Sequence, residues 1–139
     1  MNLTRHVESG AMLRAAVLAV SLVATTSALA DEPTRLTKSE VEGIVVGKKV
    51  QYVRASDGST TVWDVKSDGV VYFNPPRTRR NINISGAYTI SDDGALCFKW
   101  NQDKEYPMQD GCVVFMRDAG KTRIVSQRNP ERVFGDLVE

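Results

Sequence analysis

One stretch decides the fold: Gly86-Ala87-Tyr88-Thr89-Ile90-Ser91-Asp92-Asp93-Gly94-Ala95-Leu96-Cys97-Phe98-Lys99-Trp100. Two runs of alternating character flank a turn that ends in Asp93-Gly94. Alternation with a period of two is typical of β-strands, and an Asp-Gly turn between two such runs predicts a hairpin. In the second run Leu96, Phe98 and Trp100 share one face. If that face is buried, Cys97 lies on the opposite face of the sheet.

Runs with the same period continue on both sides of this hairpin. About seven strands joined by short turns predict a mainly β domain, built as a small antiparallel meander. An up-and-down barrel or a curled sheet is favoured over a sandwich, because every link reads as a simple hairpin. The tail shows no clear period and is left unassigned. The predicted strands lie within residues 48–126 and the tail covers residues 129–139.

A single short helix is predicted before the first long strand, at about residues 38–46. Thr37 can cap it, and Glu40 stands three residues later, as a capping box requires. Leu36 and Val41 are spaced as a hydrophobic staple, and Gly47 is placed to end the helix. We expect this helix to cover an open end or an edge of the sheet.

The first thirty residues have the layout of a secretory signal peptide. Basic residues precede the apolar run 15–23, and Ala28-Leu29-Ala30 matches a cleavage site. Cleavage there leaves one domain, residues 31–139, in the periplasm or outside the cell, with no transmembrane segment. The alternative is an uncleaved membrane anchor. Translation could start at Met1 or Met12, since either start retains the whole signal.

The chain has two cysteines, Cys97 and Cys112. In an exported protein, two cysteines indicate one disulfide bond rather than a metal site or a nucleophile. A direct bond requires the two Cα atoms to be close. We therefore expect residues 97–101 to pair with residues 108–112 across a turn near Lys104. A slip of one residue would overturn this register.

Charge and composition exclude several classes of function. The chain has 18 basic and 17 acidic residues; two basic and one acidic residue precede residue 31, so 16 of each remain. This balance gives no general attraction to nucleic acid or to an anionic membrane. The sole histidine, His6, lies in the predicted signal peptide. The mature chain therefore lacks the usual general base and the commonest transition-metal ligand. We predict no catalytic residue, metal site or cofactor.

Carboxylate pairs are the remaining candidates for catalysis, because two acids in a cleft can hydrolyse glycosidic bonds. All three candidate pairs lie at or near predicted turns, where solvated turn residues are the simpler interpretation. The pairs are Asp92 with Asp93, Asp64 with Asp68, and Asp103 with Glu105.

Two groups of residues are candidates for binding. Trp63 and Trp100 could line a pocket in a barrel mouth, although strand tryptophans are more often part of the core. Arg77, Arg79 and Arg80 follow two prolines and form the densest charge in the chain. They could accept a carboxylate or phosphate group, for which the planar guanidinium is suited. The simpler interpretation is a solvated loop that protects a sheet edge.

A family resemblance rests on two motifs. They are Leu36-Thr37 with Glu40 and a following glycine, and Gly86-x-Tyr88-x-Ile90-x-x-Asp93-Gly94-x-Leu96-Cys97-x-x-Trp100 with Cys112 downstream. The pattern, which covers roughly residues 36–128, resembles a family of small exported proteobacterial domains of unknown function. The resemblance implies a periplasmic location and transfers no activity.

Two classes of function remain. The first is a non-enzymatic periplasmic binding or interaction module, whose partner is an unknown envelope protein or an anionic ligand. The small size and the missing histidine favour it. The alternative is a carboxylate-dependent hydrolase that acts on envelope glycans, which requires two acids that converge in one cleft.

Overall fold

The computed structural model describes residues 31–75 and 83–138. All strands in these ranges belong to one antiparallel sheet, which is accompanied by one short helix. The elements are β1 (Thr34–Arg35), α1 (Lys38–Val45), β2 (Lys48–Arg54), β3 (Thr60–Val65), β4 (Val70–Asn74), β5 (Ile84–Ile90), β6 (Leu96–Trp100), β7 (Gly111–Asp118), β8 (Lys121–Ser126) and β9 (Val133–Leu137).

Strands β2 to β9 close into an up-and-down barrel. Each strand pairs with the next along the chain, and β9 pairs back with β2 to complete the circle. The predicted barrel is therefore confirmed. The unassigned tail supplies β9, one strand more than the predicted seven. β9 was missed because its own residues do not alternate cleanly: between Ile124 and Val125 the β8–β9 register shifts and leaves Phe134 without a partner on β8.

The short strand β1 lies outside the barrel circle. It pairs with the second half of β7, at Met116 and Arg117, whereas β6 pairs with the first half. The chain then turns inward, and the Leu36 backbone N–H donates to the Phe115 carbonyl oxygen at 2.9 Å. This hydrogen bond places the start of α1 over one end of the barrel.

Helix α1 seals that end, which we call the closed end. The predicted capping box is present: Glu40 Oε2 accepts from the Thr37 backbone N–H at 2.8 Å, and Thr37 Oγ1 accepts from the Glu40 N–H. Leu36, Val41 and Val45 are at most 2% exposed and belong to the barrel core. Gly94, in the β5–β6 turn, has a φ of 80°, and an added Cβ would lie 2.6 Å from the Leu36 carbonyl oxygen. The turn therefore fits closely beneath the start of the helix.

The residues that face the barrel interior change in size from one end to the other. Near the closed end they are mainly aliphatic and include Val50, Val65, Val71 and Leu96. Two residues further along the same strands, away from the helix, the inward residues are aromatic. Because side chains two apart share a face of a strand, each strand contributes one residue to each layer. The aromatic layers lie toward the opposite end, which we call the open end.

The predicted disulfide between Cys97 and Cys112 is present. The two residues are cross-strand partners with Cα atoms 4.0 Å apart, on the outer face of the barrel. The predicted pairing of residues 99–101 with residues 108–110 was wrong, because β6 and β7 pair only as far as Phe98 and Gly111. Beyond them the Trp100 backbone N–H donates to Asp110 Oδ1 at 2.8 Å instead of to a strand partner. A side chain thus ends the pairing, and residues 101–110 form a loop, the mouth loop.

Candidate ligand-binding cavity

A cavity of about 240 Å³ opens into the aromatic layers at the open end. Its wall combines residues from seven of the eight barrel strands, all but β5, with part of the mouth loop and of the loop before β9. Six aromatic side chains line it: Tyr52, Trp63, Phe73, Phe98, Trp100 and Phe134. An apolar cavity of about 150 Å³ is sufficient to bind benzene. This one therefore has room for a somewhat larger ring system.

The aromatic rings form a continuous chain around the cavity. The ring centroids of Tyr52 and Trp63 lie 4.8 Å apart, and those of Trp63 and Phe98 lie 5.0 Å apart. Phe98 stacks on Trp100 at 5.1 Å with an interplanar angle of 21°. Phe73 continues the chain, 6.0 Å from Trp100. Rings at such distances stabilise one another beyond their buried area, so the wall is held in a defined shape.

Trp63 and Trp100 contribute both to the core and to the cavity. They are 5% and 6% exposed, and both belong to the main core cluster. The two interpretations of these tryptophans from sequence are therefore compatible. The structure brings both predicted residues to one site, with the Phe98 ring between them.

Besides the Tyr52 phenol and the two indole N–H groups, the polar side chains that line the cavity lie in loops or at the end of a strand, and we call this group the rim. They are Gln109 and Asp110 from the mouth loop, Ser126 at the end of β8, and Arg128 and Arg132 from the loop before β9. Asp110 is the single carboxylate that lines the cavity among the described residues, and its Oδ1 atom accepts the Trp100 N–H. The rim thus carries more positive than negative charge.

The loop that carries the two rim arginines is held by its own hydrogen bonds. The Ser126 N–H donates to the Arg132 carbonyl oxygen, and the Arg132 N–H donates to the Asn129 carbonyl oxygen, both at 2.9 Å. The Arg132 guanidinium carbon lies 5.2 Å from the centroid of the Phe134 ring. A guanidinium over an aromatic face is attracted to it. The cation is therefore positioned against the cavity wall.

A second hollow of about 300 Å³ adjoins the cavity at the same end. The two share Tyr52, Phe73, Met108, Arg132 and Phe134. Tyr106 of the mouth loop lines only the second hollow, with its ring centroid 6.4 Å from that of Phe73. Asp103 shapes this part of the loop, because its Oδ1 atom accepts from the Glu105 and Tyr106 N–H groups. The mouth loop therefore forms one wall of the opening.

The interior also contains one buried polar pair. Burial raises the pKa of the Tyr52 phenol, so Tyr52 is neutral at physiological pH. Its cross-strand partner Thr61 is 1% exposed and does not line the cavity, so the two hydroxyl-bearing side chains lie together in the barrel interior with only Tyr52 at the cavity wall.

The predicted carboxylate pairs lie away from the cavity. Asp92 and Asp93 pair with Lys38 and Arg35 at the closed end. Asp64 pairs with Lys66 at 2.9 Å on the outer face, and Asp68 accepts the Val70 N–H in its turn. Asp103 orders the mouth loop together with Glu105, as described above. These positions fit the interpretation of solvated turn and surface residues.

Several cavity residues were not singled out by the sequence. Tyr52, Phe73 and Phe98 lie on the alternating inward face, so the period of two identifies them once a barrel is assumed. Phe134 and Arg132 lie in the aperiodic tail, which gave no signal. The predicted binding residues Arg77, Arg79 and Arg80 fall outside the described residues, and their role stays a prediction.

Neither a metal centre nor a membrane helix is found in the described part of the chain. Across residues 31–75 and 83–138, no three residues among His, Cys, Asp and Glu are grouped to hold a metal ion. The helix there, α1, has eight residues, and no helix in these ranges has the length and apolar character of a membrane span. The disulfide is compatible with an oxidising, exported location.

The chain matches no protein-family model, no curated protein and no solved structure at a significant level. The family resemblance inferred from the two sequence motifs therefore stays a prediction.

Proposed function

We propose that the chain is an exported, periplasmic, non-enzymatic binding protein that holds a small, mainly apolar molecule in the open end of its barrel. The observation that carries this proposal is the cavity of about 240 Å³, with its aromatic wall and polar rim. Binding sites for small molecules are typically concave and apolar with a few polar groups, and barrel mouths are a common place for them.

Export is supported by the signal-like residues 1–30 and by the disulfide, which is typical of oxidising compartments. We expect cleavage after Ala30. Intact-mass analysis of the protein recovered from the periplasm should give a chain that starts at Asp31. A mass that retains the apolar run 15–23 would contradict the proposal of a cleaved signal.

The alternative, a carboxylate-dependent hydrolase acting on envelope glycans, requires two acids that face one cleft. In the described part of the chain, only Asp110 lines the cavity, and it already accepts the Trp100 N–H. No contact or distance in these ranges favours this function over binding.

The binding proposal is tested by titrating the mature protein with 2-naphthol, a neutral bicyclic probe, in a calorimeter. We expect saturable binding of one molecule per chain. The matched test variant is Gly111→Leu. Gly111 lines the cavity, its strand neighbours Val113 and Phe115 face the core, and an added Cβ would have no heavy atom within 4 Å.

The larger side chain at position 111 should fill the cavity without distorting the backbone, and 2-naphthol binding should be lost while the melting temperature is kept. Gly43→Ala is the control, because its added Cβ also meets open space but lies on α1 at the closed end. No binding to the wild type, or equal binding to the wild type and Gly111→Leu, would contradict the proposal.

A further inference from the structure

The rim of the cavity has an excess of positive charge that the barrel itself does not use. Arg128 and Arg132 line the cavity, and neither forms an ion pair with another residue in the ranges 31–75 and 83–138. By contrast, Arg35, Arg117 and Arg123, elsewhere on the barrel, each lie within 4.0 Å of a carboxylate. The rim arginines therefore have unused charge and hydrogen-bond donors.

The single rim carboxylate does not balance these cations. Asp110 Oδ1 accepts the Trp100 backbone N–H at 2.8 Å, so the side chain is fixed to the end of β6. In the adjoining hollow, Arg54 is a further cation, but it is paired with Asp57 at 3.9 Å and adds no unpaired charge. Two unpaired arginines and one carboxylate therefore line the described part of the cavity, although the chain as a whole is close to neutral.

The position of Arg132 suits it for recognition of an anion. Its guanidinium lies over the Phe134 ring, and its backbone is held at both sides by hydrogen bonds to Ser126 and Asn129. Stacking uses the face of the guanidinium and leaves its N–H donors, which lie in the plane, available. These donors match the two oxygens of a carboxylate. Little ordering entropy is lost when a pre-positioned group binds.

The cavity behind Arg132 selects a flat apolar body. Stacked and tilted rings form most of its wall, and aromatic ligands make favourable offset and edge contacts with such rings. A volume of about 240 Å³ accommodates one or two fused rings. The polar rim and the apolar interior are therefore suited to opposite ends of one molecule.

We infer that the ligand of this barrel is a small aromatic carboxylate, with its ring in the cavity and its carboxylate at Arg132, assisted by Arg128. The inference rests on the proposed function and adds the class of the ligand to it. No covalent step is involved.

The experiment compares three probes with the same ring system: 2-naphthoate, 2-naphthol and 2-naphthylmethylammonium, each titrated by calorimetry at pH 7. We expect 2-naphthoate to bind about tenfold more tightly than 2-naphthol, as is reasonable for a charge-assisted hydrogen bond at a partly solvated site. The cationic probe should bind more weakly than the neutral one. Added salt should weaken the binding of 2-naphthoate and leave 2-naphthol nearly unchanged.

Arg132→Gln should reduce the affinity for 2-naphthoate to that for 2-naphthol, with the neutral probe unaffected. Arg132→Glu should make the cationic probe the preferred one. Arg117→Gln is the matched control, because it removes the same charge from the end of β7 at the closed end and should change nothing.

The outcomes separate the two proposals. If 2-naphthol binds but 2-naphthoate binds no more tightly, or if Arg132→Gln leaves the preference intact, the inferred ligand class is wrong and the binding function stands. If none of the three probes binds the wild type, both proposals are contradicted.

Discussion

The two ends of the barrel are built on the same strands but closed in different ways. At the closed end, α1 presents Val41 and Val45, which are fully buried, to an aliphatic layer of the interior. At the open end, a wall of large rings surrounds a cavity that no helix covers in the described part of the chain. Small aliphatic side chains pack closely and leave little empty volume. The large rings of Tyr52, Trp63 and Phe98 are tilted by 51° and 56° to one another, and such flat, rigid groups leave space between them.

The two ends also differ in whether their charged side chains are paired. Near the closed end, Lys38 and Arg35 pair with Asp92 and Asp93, and Arg117 lies 3.7 Å from Glu40. At the open end, Arg128 and Arg132 have no such partner among the described residues. Exposed ion pairs contribute little to stability, so the difference lies in availability: the charges near the closed end are matched, whereas the rim arginines are available for the binding proposed above. The closed end is therefore expected to serve stability alone, and the open end both stability and binding.

The largest expected effect comes from Trp100→Ala at the open end. The variant should lose roughly 3–5 kcal/mol of unfolding free energy, because a buried ring is removed from the core, and it should also lose 2-naphthol binding. Urea unfolding followed by circular dichroism measures the first effect and calorimetry the second. A variant that loses binding with unchanged stability would show that Trp100 does not support the core.

Leu36→Ala at the closed end is the counterpart. Leu36 is 2% exposed, so the substitution should cost roughly 2–5 kcal/mol. The affinity of the folded fraction for 2-naphthol should remain that of the wild type. If Leu36→Ala weakens binding as much as Trp100→Ala does, the two ends are not independent and the comparison fails.

The disulfide bears on the open end, because Cys97 and Cys112 bracket the mouth loop. They are separated by 15 positions, and closure of a loop of this length contributes on the order of 3 kcal/mol in the chain-entropy model. The double variant Cys97→Ala with Cys112→Ala should lose about that much stability and should bind 2-naphthol more weakly. Reduced wild type is the control and should behave in the same way. Affinity unchanged in both samples would show that the mouth loop keeps its place without the bond.

A smaller change of opposite sign is expected at Gly43 on α1. The added Cβ of Gly43→Ala meets no atom within 4 Å, and alanine is favoured over glycine inside a helix by roughly 1 kcal/mol. The melting temperature should rise and binding should not change. Gly94→Ala, where φ is 80° and the added Cβ would approach the Leu36 carbonyl oxygen, should instead destabilise the protein. A loss of stability in Gly43→Ala would contradict the packing described for the closed end.

The smallest expected effect is a pH dependence of the closed end. Hydrogen bonds from Thr37 lower the pKa of Glu40, and a hydrogen bond from Ser91, with Arg35 nearby, lowers the pKa of Asp93. Because folding favours the charged carboxylates, their contribution is present above the pKa values of the unfolded chain and is lost as the pH falls through the lower values of the folded state.

Stability should therefore decrease between about pH 5 and pH 3. Glu40→Gln provides a test, because glutamine can still form a capping box but does not titrate. The fall in melting temperature over this range should be smaller in Glu40→Gln than in the wild type. An equal fall would show that Glu40 does not contribute to the acid sensitivity.

The closed end could be largely predicted from the sequence, because its signals are local. The cap at Thr37, its partner Glu40 and the end of the helix at Gly47 lie within eleven residues. The hairpin register around Asp93-Gly94 is likewise set by neighbours in the chain, and it fixes the cross-strand position of Cys97.

The open end could be predicted only in part, because it is assembled from distant segments. Closure of the barrel pairs Tyr52 with Leu137, and no pattern of neighbouring residues in the sequence predicts a contact between such distant positions. Phe134, on β9, and Arg132, just before it, reach the cavity only through the pairing of β9 with β8, whose register shifts beside Phe134. Asp110 was not foreseen because its role, ending the ladder at Trp100, depends on one side-chain contact.

The most direct test of the contrast between the ends is a two-dimensional ¹H–¹⁵N NMR titration of the mature protein with 2-naphthol. The chain contains two tryptophans, and both line the cavity, so both indole N–H signals report on the open end. We predict that both indole signals shift and saturate together, while the amide signals of Val41 and Val45 stay in place. Shifts at Val41 and Val45 with unmoved indole signals, or no saturable shift at all, would contradict the account.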